Sequence, residues 1–284
     1  MLKKFDWNKK IFNLVPFYGL VPIVIALSFN VFVFTGTRPL TQHLYHHDIY
    51  SKLDQMIPFC PWWMIIYVLA FPTWAIGYIM ISREERKICY NMFTAEIIAK
   101  ALVLVCFFVY PTVMVDPQHD PVFSSQIQHG FIGWLCRFGY SFDEPNNLFP
   151  SIHCLESWFV FRAAFSLKHG GVKYKTFMFV SAILVFASVL FVKQHVIIDV
   201  IGGIVVVEIA LFLAKKYNLG RVFFALERKI TGKNQTEEKR DLPDVSVKLI
   251  SFVFSYLNRM LFMTDSSSSC LPEPGSPGAP RLSA

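Results

Sequence analysis

The sequence predicts an all-α membrane protein, a polytopic helical bundle of about six transmembrane helices with both termini on the cytoplasmic side. Three observations carry this expectation. Of the 284 residues, 54% are hydrophobic, with a mean hydropathy of +0.44, and they gather into runs instead of recurring at amphipathic spacing. Five runs approach or reach the roughly 20 apolar residues that cross a bilayer. Lys and Arg are dense in every other connection and sparse between.

The first run, 14–36, follows Lys3, Lys4, Lys9 and Lys10. It is too long for a signal-peptide core and ends in Phe34-Thr35-Gly36-Thr37-Arg38-Pro39 without a small-x-small cleavage site, so it is read as a mature span. Runs 62–82 and 92–114 are joined by a connection carrying Arg83, Arg86 and Lys87. Segment 151–167 is shorter and starts polar, but Trp158, Phe159, Val160, Phe161, Ala163, Ala164 and Phe165 make it the sixth span. Lys168, Lys173 and Lys175 precede run 174–192, and run 196–214 leads into Lys215 and Lys216. Connection 37–61 carries Arg38 and Lys52, 115–150 only Arg137, and the turn before the last run Lys193. The sparse connections are therefore assigned to the outside.

Three regions follow: a six-span membrane domain over 1–216, a basic and amphipathic cytoplasmic or interfacial segment over 217–264, and a Ser-, Pro- and Gly-rich disordered tail over 265–284. The net charge of +7 sits beside the spans, which argues for topology and against nucleic acid. The six cysteines form no Cys-x-x-Cys pair and read as apolar residues, not a zinc site or a disulfide framework. Cys60 and Cys136 both fall in outer connections, which leaves a disulfide between them open. No metal-ligand spacing and no cofactor motif is present.

Chemistry concentrates at the outer boundary. His195 and Asp199 stand four apart at the start of the last span, where a helix puts them on one face and the carboxylate can hold the imidazole. An Asp at the centre of a membrane helix costs about 2.5–3.5 kcal/mol to insert, and such groups serve a partner or a reaction. Pro150-Ser151-Ile152-His153 opens the short span at the same boundary, as a helix start with free N–H groups that favour an anion. The orientation drawn from Lys and Arg places both histidines on one side without using either.

Pro-Ser-x-His, followed 42 residues after its His by His-x-x-x-Asp, with Ser188 seven residues before that second His, resembles the type 2 phosphatidic acid phosphatase superfamily over roughly residues 30–210. The resemblance implies that His195 is the nucleophile on phosphorus, Asp199 orients it, His153 protonates the leaving oxygen, and Ser151 and Ser188 help bind the phosphoryl group. It implies a membrane lipid phosphate as substrate, no metal, and no cofactor. Two elements depart from the family pattern. Arg38-Pro39 stands without the expected upstream Lys, since position 31 is Val, and Ser188 is followed by Val189 where Arg is expected. Lys193, Arg38 and Arg137 are the candidate phosphate cations in their place. Segment 54–63 looks like the stretch found in inositol phosphorylceramide synthase-like and sphingomyelin synthase-like phosphotransferases.

The leading expectation is a lipid phosphatase in the plasma membrane with an extracytoplasmic site, and head-group phosphotransfer is the alternative. A transporter is disfavoured because charges do not recur along several spans. An inactive membrane scaffold is left open by Val189. The spans exclude the soluble haloperoxidase relatives.

Overall fold

The computed structural model describes residues 8–143, 145–168 and 170–231. In chain order the helices are α1 (Phe17–Val31), α2 (Arg38–Thr41), α3 (Lys52–Met56), α4 (Met64–Ser82), α5 (Arg86–Val109), α6 (Pro121–Ser124), α7 (Gly130–Phe142), α8 (Ile152–Ser166), α9 (Val172–Phe191), α10 (Ile197–Lys216) and α11 (Arg221–Thr231). Sheet among these residues is confined to two minimal pairs: Lys10–Ile11 antiparallel to Val15–Pro16, and His47–Asp48 parallel to Thr112–Val113. The chain is an all-α bundle. Its first compact unit is Met1–Gln235; the second, Thr236–Ala284, lies outside the described residues, as do the tail and all of the expected segment 217–264 beyond residue 231.

Among the described residues, five stretches are long and apolar enough to cross a membrane: Phe17–Thr41, Pro61–Ser82, Arg86–Val109, Val172–Phe191 and Ile197–Lys216. The third begins six residues earlier than the expected 92 and ends at Val109, not 114. Pro111 disfavours helical geometry at Tyr110 and stops it. At the other end the Arg86 guanidinium is taken up by Glu227 at 2.7 Å, so the helix extends through its charged start.

The sixth expected span is a helix, but a short one. The 15 residues of α8 rise only about 22 Å, and it packs against α4, α5, α9 and α10. Leu155, Phe159, Val160, Ala163 and Ala164 are all buried, so α8 is the central post of the bundle. Enclosure explains its polar residues: in a protein interior they find protein partners instead of lipid. Gly77 of α4 allows the closest approach, because a Cβ there would stand 2.5 Å from Val160 Cγ1.

Successive long helices alternate in direction, which gives the bundle two distinct ends. At one end Lys168 pairs with Glu85 at 2.5 Å, and Tyr18 donates to the Glu84 carbonyl at 2.9 Å. There α11 lays Phe223 on Tyr90, whose hydroxyl donates to Glu227 at 2.7 Å. The α5–α8 connection and the turn between α9 and α10 lie at the other end, with His153 and His195. Cys60 and Cys136 are free thiols, so the disulfide left open by the sequence is not formed.

Candidate functional site

His195 sits in a tight turn between α9 and α10, and the chain fastens that turn from several sides. The Gln194 and His195 N–H groups both donate to the Val189 carbonyl, at 2.9 and 3.1 Å. Tyr140 of α7 donates to the Val192 carbonyl at 2.8 Å. The Asp54 carboxylate accepts from Ile197 N–H at 2.8 Å, while Lys193 Nζ reaches back to the Asp54 and Ile57 carbonyls at 2.8 and 2.6 Å. Segment 54–63 thus braces the turn; Cys60 N–H donates to Phe191 O at 2.9 Å, and Trp63 stacks on Phe191.

The expected pair forms, but not along one helical face: His195 lies before α10, in the turn, and meets Asp199 at the helix start. His195 Nδ1 lies 3.1 Å from Asp199 Oδ2, and that same oxygen accepts from Val196 N–H at 3.1 Å. Asp199 is fully buried, so its charge stays on the imidazole and the helix start. The contact assigns the proton of His195 to Nδ1 and leaves the Nε2 lone pair available.

His153 enters from α8 and is held by rings instead of hydrogen bonds. Tyr67 stacks on it at 4.2 Å between centroids, with Phe71 and Trp74 at 5.6 and 5.2 Å. These three residues recur at four- and three-residue steps along one face of α4. His153 Nδ1 lies 3.9 Å from Asp143 Oδ2, an oxygen that also accepts from Tyr67 at 2.5 Å, and His153 Nε2 is buried without a hydrogen-bond partner. Its ring centroid is 6.2 Å from that of His195.

The two histidines meet because the starts of α8 and α10 are tied together. Ser151 N–H donates to the Asp199 carbonyl at 3.2 Å. Gly203 makes room: a Cβ there would lie 2.9 Å from Ser151 O and 3.0 Å from Leu155 N. The small Gly202-Gly203 surface is therefore filled by α8 and its lead-in.

Both imidazoles line one cavity with Arg38, Asp143, Asn147 and the apolar walls Phe34 and Phe107. Arg38 is the expected cation that reaches it. The π-helical segment Phe32–Gly36 ends just before Arg38, and such wide turns re-aim the residues that follow them. The Arg38 guanidinium donates to the Phe142 carbonyl at 3.0 Å, pairs with Asp143 at 3.2 Å and lies over the Phe34 ring.

The other expected phosphate ligands make contacts of their own. Ser151 is the N-cap of α8, its Oγ accepting from Cys154 N–H at 3.2 Å, with Pro150 one residue outside the helix. Ser188 Oγ donates to Val185 O at 2.8 Å within α9. Lys193 is the brace described above; burial lowers its pKa, and Asp54 opposes that shift. Arg137 holds the Ile127 and Gln128 carbonyls.

Sequence reading missed Asp143 and Asn147. Both lie on a connection placed by distant partners: Asn147 N–H donates to Thr112 O at 2.7 Å and its Nδ2 to Thr41 Oγ1 at 2.6 Å. Asp143 also changes the metal question. Ligand atoms of Asp143, His153 and His195 lie within 4.8 Å of one another, a set that no linear spacing reveals. Comparison with protein-family models, curated proteins and solved structures returns no match to this chain.

Proposed function

We propose that this chain hydrolyses a phosphate monoester carried by a membrane lipid, through a phosphohistidine on His195. The observation that supports this is the meeting of two imidazoles in one cavity, one backed by a carboxylate at 3.1 Å, beside a guanidinium. His195 Nε2 attacks phosphorus, the bond from phosphorus to the lipid oxygen breaks, and protonated His153 gives its proton to that oxygen. Water then attacks the phosphohistidine, its proton passes to His153, and inorganic phosphate leaves. Arg38 binds the phosphoryl oxygens and offsets their developing charge. On this reading the chain belongs to the type 2 phosphatidic acid phosphatase superfamily and works at the outer face of the plasma membrane.

A second reading rests on the Asp143, His153 and His195 set, which could hold a divalent ion that activates water. Arg38 argues against it, because its guanidinium already occupies Asp143 at 3.2 Å and would repel a cation. Activity lost in chelator and restored by one divalent ion would favour the metal.

The deciding experiment follows a labelled phosphate on a panel of lipid phosphates, using detergent-solubilised protein with and without ceramide or diacylglycerol. Release of inorganic phosphate is expected. Transfer of label to the added alcohol would make the chain a phosphotransferase, and no turnover of any lipid phosphate would sink both.

A further inference from the structure

Beneath His153 the bundle interior holds a second group of ionisable side chains. Glu96 and Lys100 stand one turn apart on α5, and Glu156 lies one turn below His153 on α8; their exposures are 0%, 0% and 2%. Lys100 Nζ is 2.7 Å from Glu156 Oε1 and 3.5 Å from Glu96 Oε1, so two carboxyl groups bracket one ammonium. From α4, Tyr78 donates its hydroxyl to Glu156 Oε2 at 2.8 Å. Val206, Val207 and Ala210 of α10, a helix that packs against both α5 and α8, belong to the apolar core of the bundle.

The charges do not balance. Lys100 and Glu156 already form a neutral pair, and Glu96 is a surplus carboxylate in a dry, apolar surround, where an uncompensated charge is costly. Neither Glu96 oxygen has a well-formed hydrogen bond, although Lys100 Nζ brings its carboxyl group beside that of Glu156, and the Tyr78 hydroxyl lies near both. The two carboxylates themselves offer acceptors only, and the one hydroxyl hydrogen of Tyr78 is given to Glu156. A proton between them cancels the surplus charge and turns the contact into a hydrogen bond. A metal ion would have to share the space with the Lys100 ammonium.

We propose that Glu96 and Glu156 form an intramembrane proton-binding site, sharing one proton against the fixed charge of Lys100, one helical turn beneath His153. Because α8 carries both Glu156 and His153, losing the proton leaves a net negative charge under the imidazole and loosens the grip of α5 on that turn.

The test is infrared spectroscopy of the purified full chain in lipid nanodiscs at neutral pH, reading the carbonyl stretch of protonated carboxyl groups that resist deuterium exchange. It needs no activity and stands whether or not the hydrolase reading holds. Wild type should show such a band, and Glu96→Gln should lose it while keeping the wild-type unfolding midpoint, because the Lys100–Glu156 pair is then neutral by itself. Lys100→Met, if it folds, should strengthen the band. Absence of the band from wild type, or its survival in Glu96→Gln, overturns the proposal. Absence together with an unfolding midpoint that rises with sodium overturns it in favour of a bound cation.

Discussion

His195 and His153 are held by different means, and the difference bears on what each can do. Hydrogen bonds from its own turn and from Asp199 fix His195, as a nucleophile requires, whereas His153 sits among rings beside Asp143. His195→Ala is expected to abolish turnover. His153→Ala is expected to slow substrates with poor leaving groups by about a hundred- to ten-thousand-fold and to spare good leaving groups, since only the former need the acid. Rates on a matched alkyl and nitrophenyl phosphate pair check this, and a His195→Ala enzyme near the wild-type rate would rule the mechanism out. Arg38→Met should raise KM about ten- to a hundred-fold, the equivalent of a charge-assisted hydrogen bond of about 1.5–3 kcal/mol. An unchanged KM would remove Arg38 from the phosphate site. Asp199 was legible as a partner of His195 from their close spacing, although the pair closes over the start of α10 and not along one helix face. Asp143 and Asn147 were not, because the latter is placed by Thr41, 106 residues away.

Among the elements, α8 shows how a span can be recognised and still misjudged. Its apolar run was readable; its central position was not, because burial on all sides depends on which helices close around it. At the start of α10, Gly202 and Gly203 let α8 and its lead-in pack closely. Gly203→Val would drive a side chain into Ser151 O and Leu155 N, 2.9 and 3.0 Å from the first added carbon. Overpacking of this kind costs about 1–3 kcal/mol, and here it also spreads the two histidines. A lowered unfolding midpoint in detergent and loss of turnover are expected, with exposed Ile201→Val as a neutral control. A Gly203→Val protein matching wild type in both would show that this contact does not set the pair. Within the spans, Glu96, Lys100 and Glu208 correct the expectation that charges do not recur there; Glu208 forks onto Arg162 at 2.5 and 3.1 Å.

For the whole molecule, the alternation of helix direction puts residues 45 and 172 at opposite ends, both on exposed side chains at 78% and 80%. Single cysteines there, in a background lacking the native ones, should label from the outside and from the cytoplasm respectively with an impermeant reagent. Labelling of both from one side would break the bundle topology, and reversed labelling would break the orientation drawn from Lys and Arg. By itself the sequence determined the five long spans, the end of the bundle that carries the histidines, and the nearness of His195 and Asp199, because hydropathy, charge asymmetry and short spacing are local or one-dimensional quantities. Only the tertiary structure decided which cation enters the cavity, that Ser188 and Lys193 donate to backbone carbonyls, and that Asp143 joins His153. Those outcomes depend on which loop or helix meets which at the bundle end, and hydrogen-bond partners a hundred residues apart leave no periodic trace in a single chain.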